Sequence, residues 1–195
     1  MPRHLKAMHD HSQAERQQLA NKSIMNVDLN FLFRKSQRDR FRSGELVSEW
    51  RGRYPHLFDE DDARVLRTDH QRRYNFYEWL AAVLIFESTG YLSLVAKYTA
   101  KSHLAKHAPL RSVIPTAIAD WVFANESGQP DLFVYSASAK DWFFCEVKGP
   151  GDRIRDNQKK WRTGLEKALV EQKVEPLNRY RVFRLEEIDE PPRES

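Results

Sequence analysis

The clearest pattern of apolar and polar positions lies in residues 74–88, with the sequence YNFYEWLAAVLIFES. Apolar side chains occur on nearly every side of this segment when it is drawn as a helix, so the pattern predicts a largely buried helix. Gly90 follows at the position where a glycine commonly ends a helix. Glu78 is the only charged residue between Phe76 and Phe86. A carboxylate in such surroundings is costly unless it is paired or binds a metal ion.

Two shorter segments predict a β-hairpin. They are residues 131–136 (DLFVYS) and 141–148 (DWFFCEVK), and a four-residue loop at 137–140 joins them. Both segments are rich in aromatic and β-branched residues, which favour strands.

The hairpin is predicted to bring three polar side chains together. Its four-residue loop fixes the register so that Asp131 lies opposite Glu146, with Cβ atoms roughly 4.5–5.5 Å apart. Because side chains alternate between the faces of a strand, Glu146 and Lys148 share one face. That face carries Trp142, Phe144, Glu146 and Lys148, and the opposite face carries Phe143, Cys145 and Val147.

Further elements are expected on either side of the hairpin. Residues 92–98 fit a strand or a helix. The other expectations are a helix from about 60 capped by Asp59, a helix within 111–123 after Pro115, a helix from about 153 to 172 capped by Asp152, and a strand near Tyr180–Leu185.

The composition is that of a globular protein. Of the 195 residues, 41% are apolar and 31% are charged. No run of 18 apolar residues occurs, so no membrane-spanning helix is predicted. The single cysteine, Cys145, allows no internal disulfide and suits a reducing compartment, so we expect a cytoplasmic location. The formal net charge of +4 points only weakly to a polyanionic partner.

The carboxylates of the hairpin suggest a metal site. Two carboxylates as close as Asp131 and Glu146 repel each other unless a positive charge lies between them. Mg²⁺ fits this role, because it prefers oxygen ligands and commonly binds one or two carboxylates, waters and substrate phosphate. Lys148 could then support charge that develops on a phosphate. The alternative is an ordinary exposed sheet face with a Glu–Lys pair.

Two more polar side chains lie among apolar residues. Glu78 is a candidate additional metal ligand, Glu87 competes for that role, and a salt bridge is the ordinary explanation. Gln158 shares a helical face with Trp161 and Leu165, so it needs a polar partner. Water or a substrate phosphate at the site would serve, and a hydrogen bond to backbone is the alternative.

Basic residues surround the start of the helix after the hairpin. They lie close in sequence to the carboxylates and could bind phosphates, although a solvated basic face is the alternative. These candidate nucleic-acid contacts are Arg153, Arg155, Lys159, Lys160 and Arg162. The Arg-rich segment 34–73 is also predicted to contribute phosphate contacts.

Three strings, at 129–133 (QPDLF), 145–152 (CEVKGPGD) and 157–161 (NQKKW), resemble the VRR-NUC family of the PD-(D/E)xK nuclease superfamily. The resemblance implies a restriction-endonuclease-like α/β core, with a mixed β-sheet flanked by helices. It also implies DNA cleavage that depends on Mg²⁺ or Mn²⁺. Small nucleases of this class often need two subunits to cut both strands, so a homodimer is a further expectation.

The resemblance also implies roles for individual residues. Metal binding falls to Asp131, Glu146, the backbone carbonyl of Val147 and Glu78. Catalytic roles fall to Asp131, Glu146, Lys148 and Gln158. The insertion at 89–128 could contribute selectivity through His103, Lys106 and His107, which could equally be ordinary surface residues.

The expected organisation has three parts: an Arg-rich extension at 1–70, helical or partly disordered, a nuclease domain at 71–187, and a loose acidic tail at 188–195. The first functional hypothesis is a metal-dependent DNA endonuclease, with selectivity for flaps or junctions as a refinement. The second is a non-catalytic nucleic-acid-binding module on the same fold. The third is a defence or toxin nuclease that acts on DNA or RNA.

Overall fold

The computed structural model describes residues 29–189 of the chain. Its centre is a five-stranded sheet with the strand order β1-β5-β4-β3-β2. The strands are β1 (Leu29–Arg34), β2 (Leu92–Val95), β3 (Leu132–Tyr135), β4 (Trp142–Lys148) and β5 (Tyr180–Ile188). β5 runs parallel to both of its neighbours, and β3 runs antiparallel to β2 and β4. The expected mixed sheet is therefore confirmed.

Helices cover both faces of this sheet. They are α1 (Lys35–Ser43), α2 (Glu45–Arg53), α3 (Glu60–Val65), α4 (Asp69–Arg72), α5 (Phe76–Thr89), α6 (Leu104–Val113), α7 (Thr116–Ala124) and α8 (Asp156–Glu171), with a short 3-10 helix at Pro55–Leu57. Within residues 29–189, none of the helices is long and apolar enough to cross a membrane.

Two hydrophobic clusters lie on opposite faces of β4. Phe143, Cys145 and Val147 pack in the cluster that α1, α2 and α5 help to form. Trp142 and Phe144 pack in the cluster that includes residues of α7 and α8. The predicted alternation along β4 is confirmed, and both faces of the strand are covered.

The helix predicted at 74–88 is confirmed as α5. Seven of its 14 residues are buried and six more are half-buried, in line with the apolar pattern. Gly90 ends it in the left-handed conformation, with φ of +75°, and its N–H donates to the carbonyl of Phe86 at 2.8 Å.

The predicted hairpin register is also confirmed. Leu132 pairs with Cys145 and Tyr135 pairs with Trp142, which is the register that places Asp131 opposite Glu146. The loop closes where the N–H of Ser136 donates to the carbonyl of Asp141 at 2.8 Å. Other confirmed predictions are the Asp59 cap of α3, the helix after Pro115 and the last strand, and residues 92–95 form a strand.

The helix after the hairpin begins later than expected, and Asp152 does not cap it. α8 begins at Asp156, with Arg155 as its N-cap residue. The carboxylate of Asp152 instead accepts a hydrogen bond from the N–H of Gly149 at 3.2 Å. Asp side chains readily bond to nearby backbone in turns, and Gly151, with φ of +77°, supplies the left-handed residue that this turn uses.

Residues 29–34 form a strand that the sequence interpretation missed. β1 pairs in parallel with β5, and Phe33 is buried. The segment is short and merges into Arg-rich α1, so its alternation is easily overlooked. Residues before and after position 70 pack in one hydrophobic cluster. The division of the chain into an extension and a nuclease domain at that position stays a prediction. Residues 1–28 of the expected extension and the end of the expected tail lie outside the described residues.

Lys106 is not a surface residue, contrary to one expectation for the insertion. Its side chain is 2% exposed, and Nζ donates to Oδ1 of Asp62 at 2.6 Å and to the carbonyl of Val95 at 2.5 Å. The ion pair links α6 to α3 and β2, so it has a structural role. Burial raises the pKa of Asp62 to about 6, even though the charge of Lys106 opposes that shift.

We expect Lys106→Met to lower the free energy of unfolding at pH 8 by about 3–5 kcal/mol, because Asp62 is left as a buried, unpaired charge. The loss should be smaller at pH 5, where Asp62 can take up a proton. Guanidinium unfolding at both pH values measures it. The Asp62→Asn, Lys106→Met double variant should recover much of the loss, and a single variant as stable as the wild type at pH 8 would contradict this account.

Candidate active site

Three buried polar side chains meet where β4 ends and α8 begins. Glu146, Lys148 and Gln158 are 1%, 4% and 8% exposed. Glu146 and Lys148 project from β4 on the face covered by α8, whose inner side carries Gln158. The sequence interpretation placed Glu146 and Lys148 on one face of the strand and Gln158 on the inner face of the following helix, and the structure brings all three together.

Hydrogen bonds join these three side chains into one network. Nζ of Lys148 donates to Oε1 of Glu146 at 2.7 Å and to Oε1 of Gln158 at 3.1 Å. Nε2 of Gln158 also donates to Oε1 of Glu146. The N–H of Arg155 donates to Oε1 of Gln158 at 2.9 Å, so Gln158 helps to cap its own helix. Gln158 thus bonds to a backbone N–H, as the alternative prediction held, and also to two side chains of the site.

Asp131 lies across the hairpin from Glu146 and bonds to the same strand. Its Oδ2 accepts a hydrogen bond from the N–H of Val147 at 2.8 Å. The N–H and C=O of a strand residue point towards the same neighbour, so the carbonyl of Val147 also faces the side of Asp131. Burial raises the pKa of Asp131, and the Val147 N–H partly offsets that rise.

The electrostatics of Glu146 are unfavourable in the absence of a cation. Burial raises its pKa, the negative charge of Asp131 raises it further, and Lys148 lowers it. Oε2 of Glu146 is buried and receives no hydrogen bond from the described residues. The ammonium group of Lys148 therefore does not fully offset the cost of burying the charge of Glu146.

Glu78 joins the site from the first turn of α5. Its Oε2 is also buried and accepts no hydrogen bond from residues 29–189. Burial raises the pKa of Glu78 to about 7, with Asp131 as the next largest cause. Glu87 lies near the other end of α5, where it accepts a hydrogen bond from the hydroxyl of Tyr54. Of the two acidic candidates, only Glu78 is close to the carboxylates of the hairpin.

These groups fit a divalent cation. Glu78 and Glu146 each have a buried carboxylate oxygen that accepts no hydrogen bond within residues 29–189, and the pKa of each group is raised. A bound cation would offset the repulsion between these acids and lower their pKa values. In the described part of the chain, no group of three or more His, Cys, Asp or Glu side chains is arranged so that it could hold a metal ion. Mg²⁺ does not need one, because it commonly combines one or two carboxylates with waters and phosphate.

The basic residues beside the site are not equivalent. Lys159 pairs with Asp156 at 2.9 Å, and Arg162 pairs with Glu166 at 2.9 Å. Arg153, Arg155 and Lys160 are exposed and have no carboxylate partner within 29–189. These last three cations, near the N-terminus of α8, are the ones available to a phosphate.

Two glycines allow close packing beside the site, one against the start of α8 and one against α5, and the sequence interpretation gave them no such role. A Cβ atom at Gly128 would lie 2.3 Å from the carbonyl oxygen of Asn157, and one at Gly149 would lie 2.6 Å from Cε2 of Tyr77. Both positions exclude a side chain, so the glycines of the NESGQP and KGPG strings could have indicated close contacts.

The fold and the site together define a class: a nuclease-type α/β domain, in which a hairpin and the following helix gather Asp, Glu, Lys and Gln. Within this class, residues 80–175 of the chain match the VRR-NUC domain family. The matched range includes Asp131, Glu146, Lys148 and Gln158, and it begins just after Glu78.

Named relatives resemble limited parts of the chain. A 37-residue segment, 19% of this chain, is 46% identical to the Fanconi-associated nuclease 1 homolog of Pseudomonas aeruginosa, and it covers 7% of that protein. A crystal structure of paFAN1 bound to 2-nucleotide 5′-flap DNA with a gap matches 78% of this chain and 24% of that chain, at 20% identity and a TM-score of 0.28. The chain therefore corresponds to a small part of these relatives.

Glu78→Gln should stabilise the metal-free protein at high pH. The folded state favours the protonated form of Glu78, because its pKa is raised from 4.5 to about 7. The stabilising contribution of that proton is complete below pH 4.5 and is lost as the pH rises through 7. In EDTA, we expect the variant to raise the melting temperature by about 2–6 °C at pH 8 and by less than about 2 °C at pH 5. An equal shift at both pH values would show that Glu78 does not titrate in this way.

Proposed function

We propose that this chain is a divalent-metal-dependent DNA endonuclease that hydrolyses phosphodiester bonds. The observation that carries the proposal is the crowding of Glu78, Asp131 and Glu146 beside Lys148, with two buried carboxylate oxygens that no donor satisfies. Purely structural carboxylates are normally paired or hydrogen-bonded, since burying a charge without compensation is costly.

The metal ligands in this proposal are Asp131, Glu146, Glu78 and the carbonyl of Val147. All are oxygen donors, which suits Mg²⁺ or Mn²⁺. A divalent cation at this place supplies Lewis-acid stabilisation of a phosphate and makes an attacking water more acidic. The hydrogen bond from the Val147 N–H holds the carboxylate of Asp131 in a fixed orientation towards the site.

Lys148 is the proposed catalytic cation. An ammonium group has three donors, and Glu146 and Gln158 accept two of them. The third donor can bond to a phosphate oxygen or to the attacking water, where it supports negative charge as the reaction proceeds. Gln158 bonds to both Glu146 and Lys148, so we assign it the role of holding these two side chains in place.

The substrate backbone is proposed to lie over the start of α8. Arg153, Arg155 and Lys160 are exposed there, while Lys159 and Arg162 can contribute once they leave their carboxylate partners. The N-terminus of a long helix also favours an anion. The solved structure of paFAN1 contains flap DNA, which makes flaps and junctions the first substrates to compare with plain duplex.

The central experiment compares cleavage of labelled duplex, flap and four-way-junction DNA, and of RNA, with Mg²⁺, Mn²⁺ or EDTA. We expect metal-dependent cutting by the wild type. Lys148→Met and Asp131→Asn should each lower the rate by about 100-fold or more. Lys140→Met is the matched control, because Lys140 is an exposed lysine in the hairpin loop. A folded, metal-loaded wild type that binds DNA without cutting it would favour the non-catalytic binding module.

The basic residues at α8 should contribute to salt-dependent binding. We expect Arg153→Gln and Lys160→Gln each to reduce the slope of log affinity against log salt by about 0.7–0.9, which corresponds to one lost phosphate contact. Binding titrations in EDTA at several salt concentrations measure this slope. Lys167→Gln, also on α8, is the control, and three equal slopes would remove these two residues from the proposed interface.

A further inference from the structure

Two clefts meet at one exposed aromatic side chain, Tyr74. The first has a volume of about 710 Å³ and is lined by Arg42, Arg73 and Tyr74 among others. The second, of about 340 Å³, is lined by Tyr74, Asn75, Trp79 and Lys97 among others. Tyr74 therefore lies between two surface depressions that continue past it on either side.

The ring of Tyr74 is unusually open to solvent. The residue is 66% exposed, and its aromatic contact in the described part of the chain is with His70, in an edge-on arrangement at 5.1 Å. Trp79, by contrast, is buried and stacks on Phe58. An exposed aromatic face at a cleft offers a surface on which another flat group can stack.

Cations flank this ring on both sides. Arg42 and Arg73 lie in the first cleft and Lys97 lies in the second, and all three are exposed, with no carboxylate partner between residues 29 and 189. The carboxylate of Asp69 in the first cleft is already bound to the guanidinium of Arg72. Many other arginines nearby are paired, such as Arg40 with Glu45 and Glu49.

The second cleft adjoins the candidate active site. Asn75, the N-cap residue of α5, and Trp79 line it, and they lie on either side of Glu78 in the sequence. Ala96 also lines it, and its N–H donates to the carbonyl of Asp131 at 2.7 Å. Tyr74 lies in the turn two residues before α5, and Glu78 lies in the first turn of that helix. A strand lying in this cleft would therefore run beside the elements that carry Glu78 and Asp131.

We propose that Tyr74 stacks on a base of a single-stranded DNA segment, while Arg42 and Arg73 on one side and Lys97 on the other bind its phosphates. Unpaired strands expose base faces, whereas the faces inside a duplex are already stacked, so this combination selects single strands. The inference rests on the proposed nuclease function. It specifies the substrate as DNA in which an unpaired branch adjoins the bond to be cut.

The test compares Tyr74→Ala with Tyr74→Phe, which retains the ring. Binding of labelled single-stranded DNA, flap DNA and blunt duplex is measured in EDTA, with 2-aminopurine in the unpaired branch as a stacking probe. We expect Tyr74→Ala to weaken binding of single-stranded and flap DNA by about 5- to 100-fold, the contribution of one stacked base. Its affinity for blunt duplex and its melting temperature should match the wild type, and the change in 2-aminopurine fluorescence on binding should disappear.

Controls separate stacking from other effects. Tyr74→Phe should behave like the wild type, and so should Leu177→Ala, which removes a different exposed apolar side chain. Arg73→Gln should weaken flap binding and reduce its salt dependence. Equal weakening on blunt duplex and single strands in Tyr74→Ala would overturn the inference, because it would indicate a general backbone contact.

Failure of the inference is distinct from failure of the proposed function. If the wild type cuts DNA with metal and Tyr74→Ala cuts and binds flaps equally well, stacking at Tyr74 is wrong and the nuclease stands. If Tyr74→Ala loses single-strand affinity but the wild type cuts no DNA under any condition, the binding site stands and the nuclease assignment is wrong. In a parallel titration with single-stranded RNA, a loss of affinity for RNA in Tyr74→Ala, with single-stranded DNA unaffected, would overturn the choice of DNA.

Discussion

The structure depends on the burial of charged groups at the end of a strand that is itself covered on both faces. β4 lies between β3 and β5, so its backbone is paired on both sides and its side chains enter two different clusters. Glu146 and Lys148 occupy positions where apolar residues would give a more stable sheet. Because Lys148 only partly offsets the charge of Glu146, negative charge remains at the place of the proposed cation site, and the surrounding packing holds its geometry.

Local rules explain why so much of the site follows from the sequence. The hairpin register depends on a loop of four residues and on strict alternation, and both operate over fewer than twenty residues. Glu78 and Gln158 were recognisable because each interrupts an apolar pattern. Long-range pairing is different. The residues next to Lys106 in the sequence do not indicate that its ammonium group bonds to Asp62 and to the carbonyl of Val95. The burial of Lys106 was therefore not predictable from the sequence.

The start of α8 shows a subtler limit. Asp152 has the residue type and sequence position of a helix cap. Its carboxylate instead accepts a hydrogen bond from the N–H of Gly149, in a turn that includes Gly151. Gln158 then reaches back to the N–H of Arg155 while its amide also bonds to Glu146. One side chain thus ends the loop, begins the helix and orients an acid of the site. Residue propensity alone does not reveal such shared use of one amide.

The pairing of β1 with β5 constrains how the protein can be made. Leu29 pairs with Phe183, so the first described strand can join the sheet only after the last one has left the ribosome. A nascent chain that ends near residue 175 would already contain the hairpin and α8, yet one edge of β4 would still be unpaired. Unpaired apolar edges readily mispair with other chains. During synthesis, the strand that carries Glu146 and Lys148 therefore has an unpaired edge until β5 emerges.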